Sequence, residues 1–218
     1  MKEDEDDTFV RELELESCNV TLKFFQKKVG DVSCVIWDAA LVLAKYLDLI
    51  SQNSKWLQGK QVLELGAGLG CAGLTASCLG AHVVLTDLES VVPMLKKNII
   101  ANEKQWRGSG GTAKAQILEW GKKIDLDFKP EIVLLTDCIY YEESIKPLLD
   151  TLENLCNSDN GTYAILSQEE RETPKQIAIW KDFLTELNNR FKVKIIPISE
   201  QHPTFSNFDI HLMKIFKM

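Results

Sequence analysis

Residues 61–87 read QVLELGAGLGCAGLTASCLGAHVVLTD, and the order of residue types in this stretch decides the fold class. Its two ends, QVLEL (61–65) and HVVLTD (82–87), are short runs rich in Val and Leu, as is typical of strands buried on both faces of a parallel sheet. The glycines between them allow a sharp turn into a helix and let backbone N–H groups approach a ligand closely. A strand, a glycine loop, a helix and a second strand predict the first unit of an α/β fold.

Five more apolar runs follow at intervals that leave room for helices. They are AKAQILEW (113–120), EIVLLTD (131–137), TYAILSQ (162–168), KVKIIPI (192–198) and IHLMKIF (210–216). The link between the last two is too short and turn-rich for a crossover helix, so we expect this pair to be antiparallel. Near the N-terminus, FVRELELES (9–17) and VTLKFFQKK (20–28) alternate apolar and polar residues, which predicts a short β-hairpin. The sequence therefore predicts an α/β protein with a seven-stranded, mostly parallel, Rossmann-like sheet.

The composition is that of an ordinary globular protein. The chain has 218 residues, of which 45% are hydrophobic and 26% charged, which fits one domain with a full core. Its apolar runs are far shorter than the ~20 residues of a membrane span, and the acidic start, MKEDEDDTF, is unlike a signal or transit peptide. The net charge of −7 disfavours general nucleic-acid binding. We therefore expect a monomeric cytoplasmic protein, also compatible with the nucleus, that binds neither membranes nor nucleic acid.

Cysteine and histidine usage gives no sign of a metal site. The six cysteines include no C-x-x-C pair, and the three histidines are scattered without metal-ligand spacing. We expect reduced, mostly buried thiols and no bound metal.

Two carboxylates flank the glycine loop and indicate its ligand. Asp87 ends the second strand, where a carboxylate can accept hydrogen bonds from both hydroxyls of a ribose. Residues 68–73 also match the pattern G-x-G-x-x-G, so a nicotinamide dinucleotide is one candidate cofactor. Glu64 lies just ahead of the loop, where it would repel a pyrophosphate but would suit a sulfonium and an ammonium group. It therefore favours S-adenosylmethionine, with Glu64 holding loop amides or the amino group of the cofactor.

Several separated motifs resemble those of the seven-strand class I methyltransferases. VLELGAGLG (62–70) and LTDLE (85–89) match the first and the ribose-binding motifs of that family. With VIWDAA (35–40), LEWG (118–121) and TDCIYYEES (136–144), the chain resembles more narrowly the methyltransferase-like protein-lysine methyltransferases, and most strongly those of valosin-containing protein. The resemblance implies that residues 33–218 form a class I methyltransferase domain, preceded by an acidic tail and N-terminal strands in residues 1–32. It also implies transfer of methyl from S-adenosylmethionine to a lysine ε-amine of a protein, with a AAA-type ATPase as a candidate partner.

The same resemblance implies a role for individual residues. Asp137 and Tyr140 correspond to an Asp-x-x-Tyr motif beside the transferred methyl group. Trp37 and Trp120 would line the adenosine and methionine side of the cofactor, and Asp87 would bind its ribose. The full set of expected cofactor contacts is Trp37, Glu64, Gly66, Ala67, Gly68, Gly70, Asp87, Leu88, Trp120 and Thr136. The stretches QEERETPKQ (168–176) and ISEQHPTFSNF (198–208) depart from the family pattern, and we expect them to shape the protein-facing rim.

Three other functions stay open at the level of sequence. A class I methyltransferase could act on a small molecule or nucleic acid, although the Asn-Pro-Pro-Tyr motif typical of base methylation is absent where Asp137 to Tyr140 stand. An NAD-dependent oxidoreductase is disfavoured by Glu64 and by the late antiparallel strand pair. A catalytically silent, partner-binding module is disfavoured because the motif carboxylates and glycines are intact.

Overall fold

The structure is a computed structural model, and it describes residues 7–30, 32–156 and 161–218. The strands are β1 (Thr8–Leu15), β2 (Val20–Lys27), β3 (Gln61–Leu65), β4 (His82–Asp87), β5 (Thr112–Ile117), β6 (Ile132–Thr136), β7 (Tyr163–Glu169), β8 (Phe191–Ile195) and β9 (Ile210–Lys217). The α-helices are α1 (Asp38–Ser51), α2 (Cys71–Cys78), α3 (Val92–Ala101), α4 (Glu103–Gly108), α5 (Glu142–Leu155) and α6 (Pro174–Arg190).

Seven strands form one sheet in the order β5-β4-β3-β6-β7-β9-β8. The strands from β5 to β7 are parallel to one another, and β9 lies between β7 and β8, antiparallel to both. The predicted fold class is confirmed, including the antiparallel pair at the C-terminus. Because β4 and β6 lie on opposite sides of β3, the strand order reverses there, and the carboxyl edge beside β3 is where open α/β sheets bind ligands.

Two predicted strands end earlier than their apolar runs. β8 ends at Ile195, and Pro197, which has no N–H to contribute to a sheet, follows two residues later. β5 ends at Ile117, so Trp120 lies in the loop beyond the strand. The early end of β5 frees Trp120 to reach the carboxyl edge of the sheet.

Apolar side chains on the two faces of the sheet pack into two cores. Val62 of β3 packs with α1 and α2 on one face, whereas Leu63 and Leu65 pack with α5 and α6 on the other. The strict alternation follows from the two-residue period of a strand. The result is a sheet covered by helices on both faces, as the Val- and Leu-rich strands predict.

The predicted N-terminal hairpin is confirmed as a separate two-stranded sheet of β1 and β2. In its turn Asn19 has φ +54°, a left-handed conformation that asparagine tolerates better than most residues. One face of the hairpin is buried in the core shared with α1 and α2, through Leu13, Leu15, Leu22 and Phe24.

Two buried asparagines fix the hairpin to the rest of the fold. The N–H of Phe25 donates to Oδ1 of Asn98 at 2.8 Å, and Nδ2 of Asn98 donates back to the Phe25 carbonyl at 3.2 Å. Asn102 makes the same two bonds with Lys23, at 2.8 and 2.9 Å. The two side-chain amides thus pair with β2 as a neighbouring strand would, which satisfies backbone groups that β1 does not reach.

None of the helices described is long and apolar enough to cross a membrane. Within the described ranges, His, Cys, Asp and Glu side chains form no group of three that could hold a metal ion. The cysteines are free thiols, and Cys71, Cys78, Cys138 and Cys156 are buried.

Candidate active site

The glycine loop between β3 and α2 adopts a backbone conformation that residues with side chains rarely adopt. Gly66 has φ +63° and Gly68 has φ +53°, both in the left-handed region. A Cβ on Gly66 would lie 3.0 Å from Cζ2 of Trp120 and 3.0 Å from the sulfur of Cys138. At Gly68 the nearest atom would be the carbonyl oxygen of Ser33, at 3.7 Å. Trp120 therefore lies against the first glycine of the loop, and the segment before α1 lies near the second.

Gly70 is also left-handed, with φ +84°, but its missing side chain faces the core. A Cβ there would lie 2.8 Å from a carbon of Leu95 and 2.9 Å from one of Leu85. Ala67 is buried, and its N–H donates to the carbonyl of Thr86 at 2.9 Å. Packing alone therefore accounts for the glycine at position 70, and its contact with a cofactor stays a prediction.

Asp87 holds the loop in place from the end of β4. One carboxylate oxygen accepts the N–H of Gly68 at 2.7 Å, and the other accepts the N–H of Leu88 at 2.7 Å. Asp87 is thus hydrogen-bonded directly to the loop, and its contact with a ribose stays a prediction. A carboxylate can accept about four hydrogen bonds, so these two amides are compatible with ribose hydroxyls as further donors. Leu88 is exposed beside it.

Glu64 is completely buried one residue before the end of β3. Its Oε2 accepts the N–H of Gly73 at 3.0 Å, and its Oε1 has no hydrogen-bond partner among the described residues. Burial raises the pKa of Glu64 from its ordinary value of 4.5 to about 8, the Gly73 amide opposes this only in part, and the charge of Asp87 adds to it. From the sequence we expect Glu64 to hold loop amides or the amino group of the cofactor. In the structure it binds a backbone amide, that of Gly73, which lies in the first turn of α2 and not in the loop.

Asp137 follows β6 at the same edge of the sheet, in a conformation that stores strain. Its φ is +54°, and its side chain is only 3% exposed. Oδ1 accepts from Nε2 of Gln168 at 2.9 Å, and Oδ2 accepts from Nη2 of Arg171 at 2.6 Å. A second Arg171 nitrogen, Nη1, lies 3.3 Å from Oδ1. The predicted catalytic carboxylate is therefore ionically paired on both oxygens.

Arg171 links Asp137 to one of the predicted tryptophans. Its guanidinium carbon lies 5.3 Å from the centroid of the Trp37 ring, and Nη2 lies 3.3 Å from a carboxylate oxygen of Glu169. The Trp37 indole N–H donates to the carbonyl of Val32 at 2.8 Å, which orients a ring that is 39% exposed. Arg171 thus contacts both Trp37 and Asp137, so Trp37 lies near Asp137. Its ring is partly exposed and is not part of the core.

The remaining two predicted residues lie on either side of Asp137. Thr136 is the last residue of β6, and its carbonyl accepts a weak hydrogen bond from the sulfur of Cys138 at 3.5 Å. The carbonyl of Tyr140 accepts from Nε2 of Gln176 at 3.1 Å, which fixes the start of α5 against α6. The Tyr140 ring contacts the ring of Tyr141, with centroids 4.5 Å apart.

Comparison with known protein families shows the family of the chain. The sequence profile of a family described as lysine methyltransferase matches residues 16–189, which is most of the chain. The chain belongs to the lysine methyltransferase family. Protein N-lysine methyltransferase METTL21A of Danio rerio is 36% identical over 193 residues, which cover 88% of this enzyme and 80% of the relative. EEF1A lysine methyltransferase 3 of Xenopus tropicalis is 31% identical over 183 residues, with coverages of 82% and 77%.

Solved structures show that this lysine methyltransferase has the class I methyltransferase fold. The 16S rRNA N2 G1207 methyltransferase of T. thermophilus, in complex with AdoMet and guanosine, aligns with a TM-score of 0.63 over 97% of this chain and 51% of that one, at 13% identity. Magnesium protoporphyrin IX methyltransferase of Synechocystis with bound SAM aligns with a TM-score of 0.53 over 83% and 78%, at 18% identity. The enzyme is an S-adenosylmethionine-dependent protein-lysine methyltransferase.

The residues at the glycine loop suit S-adenosylmethionine. The loop presents left-handed glycines, and the N–H of Gly68 donates to the Asp87 carboxylate. The unpartnered oxygen of buried Glu64 supplies an acceptor of the kind that an ammonium or sulfonium group favours. The glycines, the Asp87 carboxylate and the buried acid Glu64 therefore form a set that fits a cationic nucleoside cofactor.

Sequence reasoning missed the residues that surround Asp137. Gln168 and Glu169 are the last two residues of β7, and Arg171 follows the strand. Gln168 and Arg171 bond to Asp137, and Glu169 pairs with Arg171. They belong to the stretch QEERETPKQ, which we expect to shape the protein-facing rim. One available signal was their position, because the carboxyl ends of parallel β6 and β7 meet at one edge of the sheet.

Proposed function

We propose that this enzyme methylates a lysine ε-amine of either valosin-containing protein or EEF1A, with Asp137 receiving the amine. The observation that carries the proposal is the buried Asp137 carboxylate, which lies at the edge of the glycine loop and binds a cationic side chain. A site of this charge suits a lysine better than a hydroxyl or a nucleic-acid base. The first partner is suggested by the motifs around Trp37, Trp120 and Asp137, and the second by the name of the Xenopus relative.

In this proposal the cofactor lies along the loop and the acceptor enters beside Asp137. Asp87 binds the ribose, Glu64 supports the methionine amino group, and Trp120 covers the cofactor where it packs on Gly66. The other predicted contacts keep the role assigned from sequence: Trp37, Ala67, Gly68, Gly70, Leu88 and Thr136. When bound, S-adenosylmethionine supplies an electrophilic methyl group on a sulfonium sulfur.

The main barrier that the protein must lower is the protonation of the acceptor lysine. A free lysine has a pKa near 10.4, so at neutral pH roughly one in a thousand is uncharged, and making the amine neutral costs about 4 kcal/mol. A partly desolvated channel with cations nearby lowers that pKa. Asp137 orients the amine and passes its proton to water, and Tyr140 lines the channel. Asp137 and Tyr140 would hold the amine in line with the methyl group of a bound cofactor, and this positioning would supply most of the acceleration.

The experiment compares wild type with Asp137→Ala on the two candidate partners. Purified valosin-containing protein and EEF1A are incubated with the enzyme and labelled S-adenosylmethionine, and modified lysines are located by mass spectrometry. Calorimetry with S-adenosylhomocysteine measures cofactor binding separately. We expect Asp137→Ala to bind the homocysteine product normally and to lose turnover, because its carboxylate lies on the acceptor side of the loop.

Each outcome separates the parts of the proposal. Labelling of one partner and not the other decides the substrate, and labelling of neither, with intact cofactor binding, rejects both partners. Near-normal turnover of Asp137→Ala contradicts the role given to that residue. Titration with NAD is the control for the oxidoreductase alternative, and we expect no binding.

A further inference from the structure

The carboxylate proposed to receive the substrate lysine already holds a cation. Arg171 approaches Asp137 with two nitrogens, Nη2 at 2.6 Å from Oδ2 and Nη1 at 3.3 Å from Oδ1. The same guanidinium lies over the Trp37 ring and next to Glu169. A carboxylate and an aromatic face are the two features that bind an alkylammonium group. Arg171 therefore makes the contacts that an incoming lysine would need.

We propose that Arg171 is a displaceable stand-in for the substrate lysine and that an acceptor must replace it at Asp137. This inference rests on the proposed function, since it assigns a gatekeeper to the same acceptor site. Arg171 lies in residues 170–173, which link β7 to α6 outside regular structure. Its side chain is 25% exposed, against 3% for Asp137. The arginine can therefore move towards solvent, whereas the carboxylate stays in place.

Glu169 provides the second position for the displaced arginine. Its carboxylate lies 3.3 Å from Nη2 of Arg171 and is more exposed than that of Asp137. When a lysine takes Asp137, Arg171 keeps an ion pair by moving wholly to Glu169. Each carboxylate then has one cation, the lysine at Asp137 and Arg171 at Glu169. Without this shift, the lysine and the guanidinium would both have to pair with Asp137.

This arrangement makes Arg171 a specificity-determining residue. A hydroxyl or a neutral amide has no charge with which to replace a guanidinium at a buried carboxylate, because the exchange would leave Asp137 without a counter-ion. A lysine side chain makes the exchange with charge conserved. The site is thus closed to neutral acceptors and open to amines.

The test measures the affinity of the site for n-butylammonium, a small mimic of the lysine side chain, in the presence of saturating S-adenosylhomocysteine. Arg171→Gln removes the competing charge and keeps a side chain of similar polarity. Binding is followed by NMR through the indole N–H of Trp37, assigned with Trp37→Phe, against potassium chloride at equal ionic strength. We expect the Kd of Arg171→Gln for n-butylammonium to be about tenfold lower than that of wild type. In wild type the ion pair between Arg171 and Asp137 must break before the ligand can bind, and the variant has no such pair.

Arg190→Gln is the matched control. Arg190 is the last residue of α6, and its side chain is 21% exposed. It bonds to the carboxylates of Asp150 and Glu153 in α5. It resembles Arg171 in exposure and partners but contacts no predicted site residue. We expect this variant to bind n-butylammonium as wild type does. An equal gain in both variants would show that removal of any positive charge suffices, and would overturn the proposal.

A double-mutant cycle tests the second position at Glu169. Glu169→Gln should raise the Kd for n-butylammonium in the wild-type background, and should have a much smaller effect when combined with Arg171→Gln. Equal effects in both backgrounds would contradict the shift of Arg171 to Glu169. An unchanged or higher Kd in Arg171→Gln alone would show that the arginine only positions Asp137, and would overturn the stand-in.

Kinetics with the substrate protein separate this inference from the proposed function. We expect Arg171→Gln to lower KM for the substrate protein, with Arg171→Lys closer to wild type in KM. A purely structural role would raise KM and lower kcat together. If wild type methylates a lysine while Arg171→Gln shows no gain in amine affinity, the stand-in fails and the function stands. If neither candidate partner accepts methyl, the substrate proposal fails, while the n-butylammonium titration still decides the role of Arg171.

Discussion

Glu64 offers the sharpest prediction about stability, because it is a completely buried acid with one unpartnered oxygen. Its pKa in the folded protein is about 8, against an ordinary value of 4.5. Each pKa unit corresponds to about 1.4 kcal/mol, so ionising this group in the folded state costs about 5 kcal/mol relative to the unfolded chain. Glu64→Gln removes that cost, because an amide has no charge and its oxygen can still accept the Gly73 N–H.

The direction of the effect follows from proton uptake. Between pH 4.5 and about 8 the folded protein retains the Glu64 proton that the unfolded chain has lost. The free energy of unfolding therefore falls as pH rises through this window, with no penalty below it and the full penalty above it. At neutral pH the penalty is already about 3 kcal/mol.

The assay is urea unfolding of wild type and Glu64→Gln at about pH 5.5 and about pH 8.5, without cofactor. We expect the stability of wild type to fall by about 3 kcal/mol more than that of the variant between these values. Other titrating groups are common to both proteins and cancel in the difference. Glu103→Gln, at a glutamate paired with Arg107 on the surface, controls for the introduction of an amide. Parallel pH profiles of wild type and Glu64→Gln would refute the reasoning.

Two further variants test the loop and the hairpin. Asp87→Ala should abolish measurable binding of S-adenosylhomocysteine in calorimetry, because it removes the proposed ribose ligand and the acceptor of the Gly68 N–H; micromolar binding by the variant would contradict this. Asn98→Ala should lower the free energy of unfolding by about 2–4 kcal/mol, because both polar backbone groups of Phe25 lose their partner. A change below about 0.5 kcal/mol in urea unfolding would show that these bonds are replaced.

The sequence was sufficient for the fold and for the edge at which the site lies. Val- and Leu-rich runs separated by helical segments leave few topologies, and the short final link requires an antiparallel pair. Asp87 and Asp137 were predictable because each ends or follows a strand, and parallel strands bring their ends to one edge. These predictions concern where strands begin and end along the chain, and the pattern of apolar residues indicates those positions well.

Contacts made by long or buried polar side chains were not predictable in the same way. Arg171 reaches Asp137 across 34 residues of sequence, and its rotamer depends on Trp37 and Glu169 together. Asn98 lies in a helix whose polar residues would ordinarily face solvent, yet it is fully buried against β2. In each case a tertiary neighbour decides the orientation of the side chain, and a local pattern contains no information about that neighbour.

The three acids around the site differ in how their charge is balanced, and this difference suggests how the ligands act on them. Backbone N–H groups hold Asp87, a guanidinium holds Asp137, and burial favours the protonated form of Glu64. A cationic cofactor and a cationic acceptor both require negative charge, but three uncompensated carboxylates would repel one another in the free protein. In the proposed reaction, ribose hydroxyls join the amides at Asp87, an ammonium favours ionisation of Glu64, and lysine replaces Arg171 at Asp137. In this proposal the two cationic ligands, the cofactor and the lysine, each meet a carboxyl group whose charge the free protein balances internally, by protonation at Glu64 and by Arg171 at Asp137.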